Sequence, residues 1–461
     1  MIYSRFEACS AVLADIEAID FFLARQLIHE YGQEKNDLFF HLLLALHYFV
    51  RQGHSCLSVE SVANKTLFAE SSDETASRDA SDVHKRKAGF TFPDIDELTD
   101  NLKFLASQDS GDGPLVCERG ALYLRRYWLF ECEVARALKS RLAAKPLTQS
   151  QLARATSIVT RIFHNSAPQE TDRPASDFYS RNTDSLRNTD SLRNTDPLTQ
   201  EANSLTEVTD WPKVAVANAL GRRLSVITGG PGTGKTFTAT RLLIAMQATL
   251  GEESPLRILM AAPTGKAAQR LSESVLKEKP RLRLKRIKPA LIDSIPEEAM
   301  TLHRLLGIRP RRVQPQYGDV NKIDCDILLL DEVSMIDLPM LARLLRALPD
   351  HATLIMLGDA EQLPSVEVGS ILSELVGRRG IGYQHQVAEQ IVKIAGQQSI
   401  ERAERGRNDF VTRLMVSRRF GGVIKRLADQ VILGQEEASW NTLLAGSAEP
   451  VTNSYENHNQ I

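Results

Sequence analysis

Eight residues, "GGPGTGKT" at 229 to 236, leave this chain little freedom in how it can fold around them. They fit the pattern G-x-x-x-x-G-K-[ST] and stand between the apolar run "LSVIT" (224 to 228) and the helical stretch "TFTATRLLIAM" (236 to 246). Strand, glycine-rich turn and helix, in that order, are the setting in which the pattern cradles phosphate. Gly229, Gly230, Gly232 and Gly234, with Pro231 and Thr233 between them, let backbone N–H groups converge on phosphate oxygens at a helix N-terminus. Lys235 would reach the β and γ oxygens, and the Thr236 hydroxyl would ligate Mg²⁺. The chain is therefore expected to hold a nucleoside triphosphate.

The sequence around this loop predicts an α/β fold. Apolar runs at 257–262 ("RILMAA"), 326–331 ("DILLLD") and 353–358 ("TLIMLG") alternate with helical stretches, the pattern of buried parallel strands with helices between them. Asp331 closes one of these runs and Glu332 follows it. An acid at the C-terminal end of a strand lies at the ligand-binding edge of such a sheet. Asp331 would hold Mg²⁺ through water, and Glu332 would orient and deprotonate the attacking water. Gln362, in "LGDAEQLPSVEVG", follows the next strand on a loop from which its amide can bridge the γ-phosphate to a neighbouring surface.

Elsewhere the chain excludes more than it specifies. A net charge of -2 over 461 residues gives no whole-chain argument for nucleic acid or an anionic membrane, so any such partner must be argued locally. The five cysteines are far apart with no Cys-x-x-Cys pair, which predicts buried free thiols in a reducing compartment. Glu7, Asp15 and Glu17 interrupt the N-terminus and the longest apolar run, 39–50, is too short for a bilayer, so no membrane is expected and the address is cytoplasmic. Residues 13–50 read as helical, 68–114 as a polar surface loop, and Arg125 to Trp128 as part of a half-buried aromatic strand leading into an amphipathic helix. "RNTDSLRNTDSLRNTDPL" (181 to 198) repeats a six-residue unit too polar to bury itself and predicts a disordered linker. The basic run at 277–288 reads as a solvated helix or loop.

Taken in order, "GGPGTGKT", "APTGKAA", "TLHRLLG", "LLLDEVSMID" and "LGDAEQLPSV" resemble motifs I, Ia, Ic, II and III of superfamily 1 helicases. With "LYLRRYW" and the helical N-terminus they closely resemble the RecD family, the alpha subunits of exodeoxyribonuclease V. The resemblance implies a RecA-like P-loop NTPase domain, use of ATP, and a 5′-to-3′ DNA motor in a heterotrimer with RecB and RecC. Such a complex processes single- and double-stranded DNA ends in recombinational repair, with the N-terminal domain docked on RecC. By position, Thr264, Lys266 and His303 would touch single-stranded DNA. "LMVSRRFGGVIKRLADQVILG" (414 to 434) resembles motif IV, which would make Arg419 the arginine that reaches the γ-phosphate.

Two departures stand out. The family places glutamine after the tryptophan of its adenine-recognising segment, whereas this chain has Pro212 in "DWPKVAVANAL", with no side-chain hydrogen bond to offer. Motifs V and VI do not occur in the 461 residues, so the expected division is a helical partner-binding domain (1–115), a connecting region (116–170), a linker (171–205), the RecA-like motor domain (206–378) and a partial second RecA-like domain (379–461). Impaired coupling of ATP to unwinding is the expectation. The alternative is an ATP-binding scaffold that docks on RecC without translocating.

Overall fold

The computed structural model describes residues 3–70, 87–108, 112–143, 146–164, 209–251, 254–285, 287–311, 314–362, 382–397 and 434–446, with short stretches at 368–369, 371–377, 400, 408–416 and 422–432. The repeat at 181–198 and Arg419 lie outside the described residues.

The N-terminal part runs through α1 (Phe6–Ser10), α2 (Ala18–Glu30), α3 (Asp37–Arg51), β1 (Cys56–Ser58), α4 (Val59–Val62), β2 (Thr66–Leu67), β3 (Phe90–Thr91), α5 (Ile95–Gln108), β4 (Leu115–Glu118) and β5 (Ala121–Leu124). Its centre is α3, which buries every residue from Phe39 to His47. Asn36 caps that helix, its Oδ1 accepting from the Phe39 N–H at 3.0 Å. This part is less purely helical than expected, because β1, β5 and β4 form an antiparallel sheet. The expected polar loop at 68–114 is also corrected: α5 lies inside it and buries Leu98, Leu102 and Leu105 at helical spacing against the same core.

The larger part begins with α6 (Arg125–Leu142), α7 (Gln149–Phe163) and α8 (Trp211–Ala219). It continues as β6 (Leu224–Thr228), α9 (Lys235–Leu250), β7 (Ile258–Ala262), α10 (Gly265–Arg283), α11 (Pro289–Asp293), β8 (Met300–Thr301), α12 (Leu302–Leu305), β9 (Ile327–Leu330), α13 (Leu338–Ala347), β10 (Thr353–Gly358), α14 (Ile371–Val376), α15 (His385–Ala395), β11 (Val411–Arg413), α16 (Gly422–Ile432) and α17 (Glu436–Gly446). Six strands pair in the order β11-β6-β10-β9-β7-β8, all parallel. Successive strand residues face opposite layers. Ile227, Leu329, Ile355 and Leu357 pack under α7, α8, α9 and α15. Val226, Leu328, Leu330, Leu354 and Met356 pack under α6 and α13.

Two segments sit differently from the sequence-based expectation. Arg125 to Trp128 form the first turn of α6, not a strand. There Arg126 lies over the Tyr127 ring at 4.5 Å and Trp128 Nε1 donates to Glu118 Oε2 at 2.6 Å. Within the region 379–461, expected as a partial second RecA-like domain, two elements belong to the first sheet and its core: β11 pairs with β6 on the side away from β10, and α15 buries Ala388, Ile391 and Ile394 in the common core. The thiols divide, with Cys9 and Cys325 buried and Cys117 exposed. Among the described residues no helix is long and apolar enough to cross a membrane.

Candidate nucleotide and nucleic-acid site

Because all six strands run the same way, the chain leaves each of them at one edge, and the residues singled out from sequence line up along it. Gly229 to Thr236 follow β6, Gln362 lies beyond β10, and Asp331 and Glu332 follow β9. Thr264 and Lys266 follow β7, and His303 lies on α12 immediately after β8.

The phosphate loop is shaped by backbone conformation. Gly232 and Gly234 take φ of 77° and 86°, the left-handed region that glycine enters without strain. Gly234 is also the N-cap of α9, with no side chain capping that helix, so its first N–H groups face the loop. Gly229 is required for a different reason: a Cβ there would meet Thr233 Oγ1 at 2.7 Å and the Leu414 carbonyl at 3.0 Å. Thr233 Oγ1 donates to Gly230 O at 2.9 Å and ties the turn. Lys235 Nζ lies within the curl, donating to Gly229 O at 2.7 Å and Gly230 O at 3.3 Å. Thr236 is partly buried in the first turn of α9.

Opposite the loop, Asp331 is 8% exposed. Burial pushes its carboxyl up to about 6, and the Glu332 N–H and the Lys235 ammonium keep it from rising further. Glu332 N donates to Asp331 Oδ1 at 2.9 Å, and Glu332 itself has φ of 52°, an uncommon conformation for a residue with a Cβ, which turns the chain sharply at the strand end. A buried carboxyl within electrostatic reach of Lys235, the residue before Thr236, suits a divalent cation, whose charge would offset the cost of ionising Asp331. Ser334 Oγ donates to Gln362 Oε1 at 3.5 Å and links the loops after β9 and β10.

Several groups at this edge are not among the residues expected from the sequence. Asp359 is 4% exposed at the end of β10, its carboxyl raised by burial and lowered by Lys235 and Arg413. It ends an apolar strand just as Asp331 does, and that signal was available. Arg413, at the end of β11, forms an ion pair with Glu361. Gly229, Gly230, Asp359, Arg413 and His54 line a cleft of about 570 Å³ between the loop and the N-terminal part. Gly369 N donates to Gly53 O at 2.9 Å across the same junction.

A second pocket, of about 230 Å³, adjoins the loop at Thr233. Besides Thr233, its lining comes from two segments, Thr209 to Pro212 at the start of α8 and Leu414 and Val416 just past β11. Pro212 is buried in the first turn of α8, where no backbone N–H is needed. The Asp210 carboxylate accepts from Lys213 N at 3.3 Å. The apolar walls suit the face of a nucleobase, and few groups remain to read its edge.

Thr264 and His303 occupy helix starts. Thr264 Oγ1 caps α10 by accepting from Ala267 N at 3.2 Å, and Thr301 caps α12 by accepting from Arg304 N at 3.3 Å. Thr264, Lys266 and His303 are all exposed, and β7 pairs with β8 through Ala262 and Thr301, so the three gather on one stretch of the edge. The basic run is only partly solvated: Lys279 is buried and paired with Glu297 at 2.8 Å.

Comparison with known proteins yields two matching family profiles, "AAA domain" over residues 212–368 and "RecBCD enzyme subunit RecD, N-terminal domain" over residues 14–123. The chain is 31% identical over 347 residues to the RecBCD enzyme subunit RecD of Haemophilus influenzae, covering 75% of this chain and 48% of that one. It is 39% identical to the corresponding subunit of Mycolicibacterium smegmatis over 51% of this chain and 37% of that one. Against the ATP-dependent RecD2 DNA helicase of Deinococcus radiodurans, identity is 36% over 32% of this chain and 17% of that one. The chain thus spans about half the length, or less, of these curated relatives. Among solved structures, the Pif1 helicase from Bacteroides in complex with ADP-AlF3 and ssDNA matches with a TM-score of 0.28 and 20% identity over 51% of this chain and 49% of that one.

Proposed function

Since the chain belongs to the RecD family of superfamily 1 helicases, we propose that it binds and hydrolyses ATP with Mg²⁺ at the β6 loop and serves as an ATP-dependent DNA helicase subunit of exodeoxyribonuclease V. The observation that carries this is the single edge on which the phosphate loop, the buried Asp331, Glu332, Gln362 and the exposed Thr264, Lys266 and His303 follow successive strands of one parallel sheet. Triphosphate at one end and a DNA strand at the other would then share one rigid platform. Lys235 and the N-terminus of α9 bind the phosphates, Thr236 and Asp331 hold the cation, and Glu332 takes the proton of the attacking water. Gln362, on the loop after β10 and joined to Ser334 on the loop after β9, would bridge the γ-phosphate to the neighbouring surface. Arg419 supplies a further charge to that phosphate.

In this reading the subunit moves 5′ to 3′ on DNA ends in the cytoplasm, and RecB and RecC are its partners. The N-terminal residues 1–115 dock on RecC. An exposed apolar stripe on α2 supports that role, with Ile19 54%, Phe22 57% and Leu23 41% exposed at helical spacing. The motor comprises residues 206–378 together with β11 and α15.

The test is ATP hydrolysis by the full chain with and without a single-stranded oligonucleotide, compared with Lys235→Gln. Hydrolysis stimulated by DNA and reduced at least about 100-fold in the variant is expected. Equal, unstimulated rates in both proteins favour the non-translocating scaffold that docks on RecC.

A further inference from the structure

Further along the two segments that line the apolar pocket lies a buried polar cluster, none of whose residues lines that pocket. Asn218, near the end of α8, donates through Nδ2 to Asp409 O at 2.9 Å and to Thr412 Oγ1 at 3.0 Å. Arg222 Nε donates to Asn218 Oδ1 at 3.2 Å, and its guanidinium pairs with the Asp409 carboxylate at 3.2 Å. Tyr383 donates its hydroxyl hydrogen to Thr412 Oγ1 at 3.2 Å. Asn218, Arg222, Thr412 and Tyr383 are each 8% exposed or less.

Burying this many polar groups costs free energy that apolar side chains would not incur, and the return is geometry. Apolar contacts between α8 and β11 would let the two slide, whereas directional bonds from Asn218 to two points on one turn and strand fix their register. Both walls of the pocket are extensions of these elements. Trp211 is seven residues up α8 from Asn218, roughly 10 Å at the helical rise. Leu414 is two residues past Thr412, roughly 7 Å along the strand. The cluster therefore sits one lever arm behind the gap between Trp211 and Leu414.

We infer that Asn218, Arg222, Asp409, Thr412 and Tyr383 are positioning residues that set the width of the pocket, so that affinity for the base of a nucleoside triphosphate depends on groups that never touch it. The inference rests on the proposed nucleotide site. A positioning role separates from a purely structural one because it acts on the base and not on the phosphates.

The experiment titrates the full chain with a non-hydrolysable ATP analogue and, separately, with inorganic tripolyphosphate, each with Mg²⁺, by calorimetry. Thr412→Val keeps the strand's shape and removes the hydroxyl on which two bonds converge, and Thr412→Ser restores it. Thr412→Val is expected to weaken the analogue about fivefold while tripolyphosphate changes less than about twofold, and Thr412→Ser to match the parent. If Thr412→Val does not fold, Tyr383→Phe removes one bond of the same cluster and is expected to weaken the analogue about twofold with tripolyphosphate unmoved. Equal losses for both ligands, or no loss for either, overturn the inference. A parent protein that binds both ligands equally also overturns it while leaving the phosphate site standing. A parent protein that binds neither overturns the nucleotide site and the inference together.

Discussion

Replacing Asp331 by asparagine should stabilise the nucleotide-free protein while removing its hydrolytic activity. Burial raises the Asp331 carboxyl from 3.8 to about 6, so the folded protein keeps this proton over a range in which the unfolded chain has already lost it. In that range the unfolded state binds fewer protons, and linkage makes stability fall as pH rises from near 4 to near 6. Above about pH 6 the whole cost is present, roughly two pK units or about 3 kcal/mol. Asparagine carries no charge to desolvate and keeps an Oδ1 to accept the Glu332 N–H bond of 2.9 Å. Asp331→Asn should therefore melt several degrees above the parent at pH 8, with the gap closing towards pH 4. Thermal melts of both proteins followed by circular dichroism in chelator, at several pH values, measure this directly. A variant less stable than the parent at pH 8, or a gap independent of pH, refutes the reasoning. The expected stabilisation makes the site one where stability is given up so that a cation can be bound.

Three further outcomes follow from the same geometry. Pro212→Gln places a donor and an acceptor against the base edge in the 230 Å³ pocket, so the parent should bind ATP and GTP within about threefold, and the variant should favour ATP by about tenfold in competition binding. Gly229→Ala drives a Cβ against the Leu414 carbonyl at 3.0 Å, and that carbonyl cannot retreat because Leu414 N donates to Thr228 O at 2.8 Å; about 2 kcal/mol of stability and most nucleotide affinity should be lost, read by denaturation and titration. Glu278→Ala removes the carboxylate 2.7 Å from Arg241, which is 2% exposed and also lies over the Phe237 ring, and should cost about 3 kcal/mol, whereas Arg241→Met should cost less because Glu278 keeps Arg281 at 2.9 Å. Urea denaturation of the two variants decides the order.

How much of this was legible in the sequence depended on where the stabilising contacts of each element lie. β6, β7, β9 and β10 are buried along nearly their whole length, so their sequences are predominantly apolar runs, broken only by small hydroxyl residues such as Ser225 and Thr353, that need no partner to be recognised. The residues that end them inherit the sheet edge automatically, which is why Asp331 and Gln362 were found and why Asp359 could have been. α5 was hidden because its three buried leucines are diluted by polar neighbours that face water. Arg125 to Trp128 were misread because tyrosine and tryptophan favour strands, while the helix that captured them draws its stability from Val134 and Leu138, further along and packed against the sheet.

β11 is the sharper case. "VTR" has three residues, one of them charged, and no local pattern marks it as a strand. What makes it one is the exposed edge of β6, whose free backbone groups are satisfied only when Val411 to Arg413 lie beside Val226 to Thr228. The same pairing brings Leu414 against Gly229, turns Arg413 towards Glu361, and builds the second wall of the apolar pocket. A three-residue strand thus joins the start of the phosphate loop, the loop after β10 and the nucleobase pocket. A substitution that weakens it, such as Val411→Asp, should loosen all three at once, whereas one in the α16–α17 pair should not, since those helices pack chiefly on each other. Hydrogen exchange can decide between these outcomes: in Val411→Asp, protection should fall together in β6, the 229–236 loop and the start of α8, and loss confined to residues 408–416 would mean that β11 merely rests on a sheet that is complete without it.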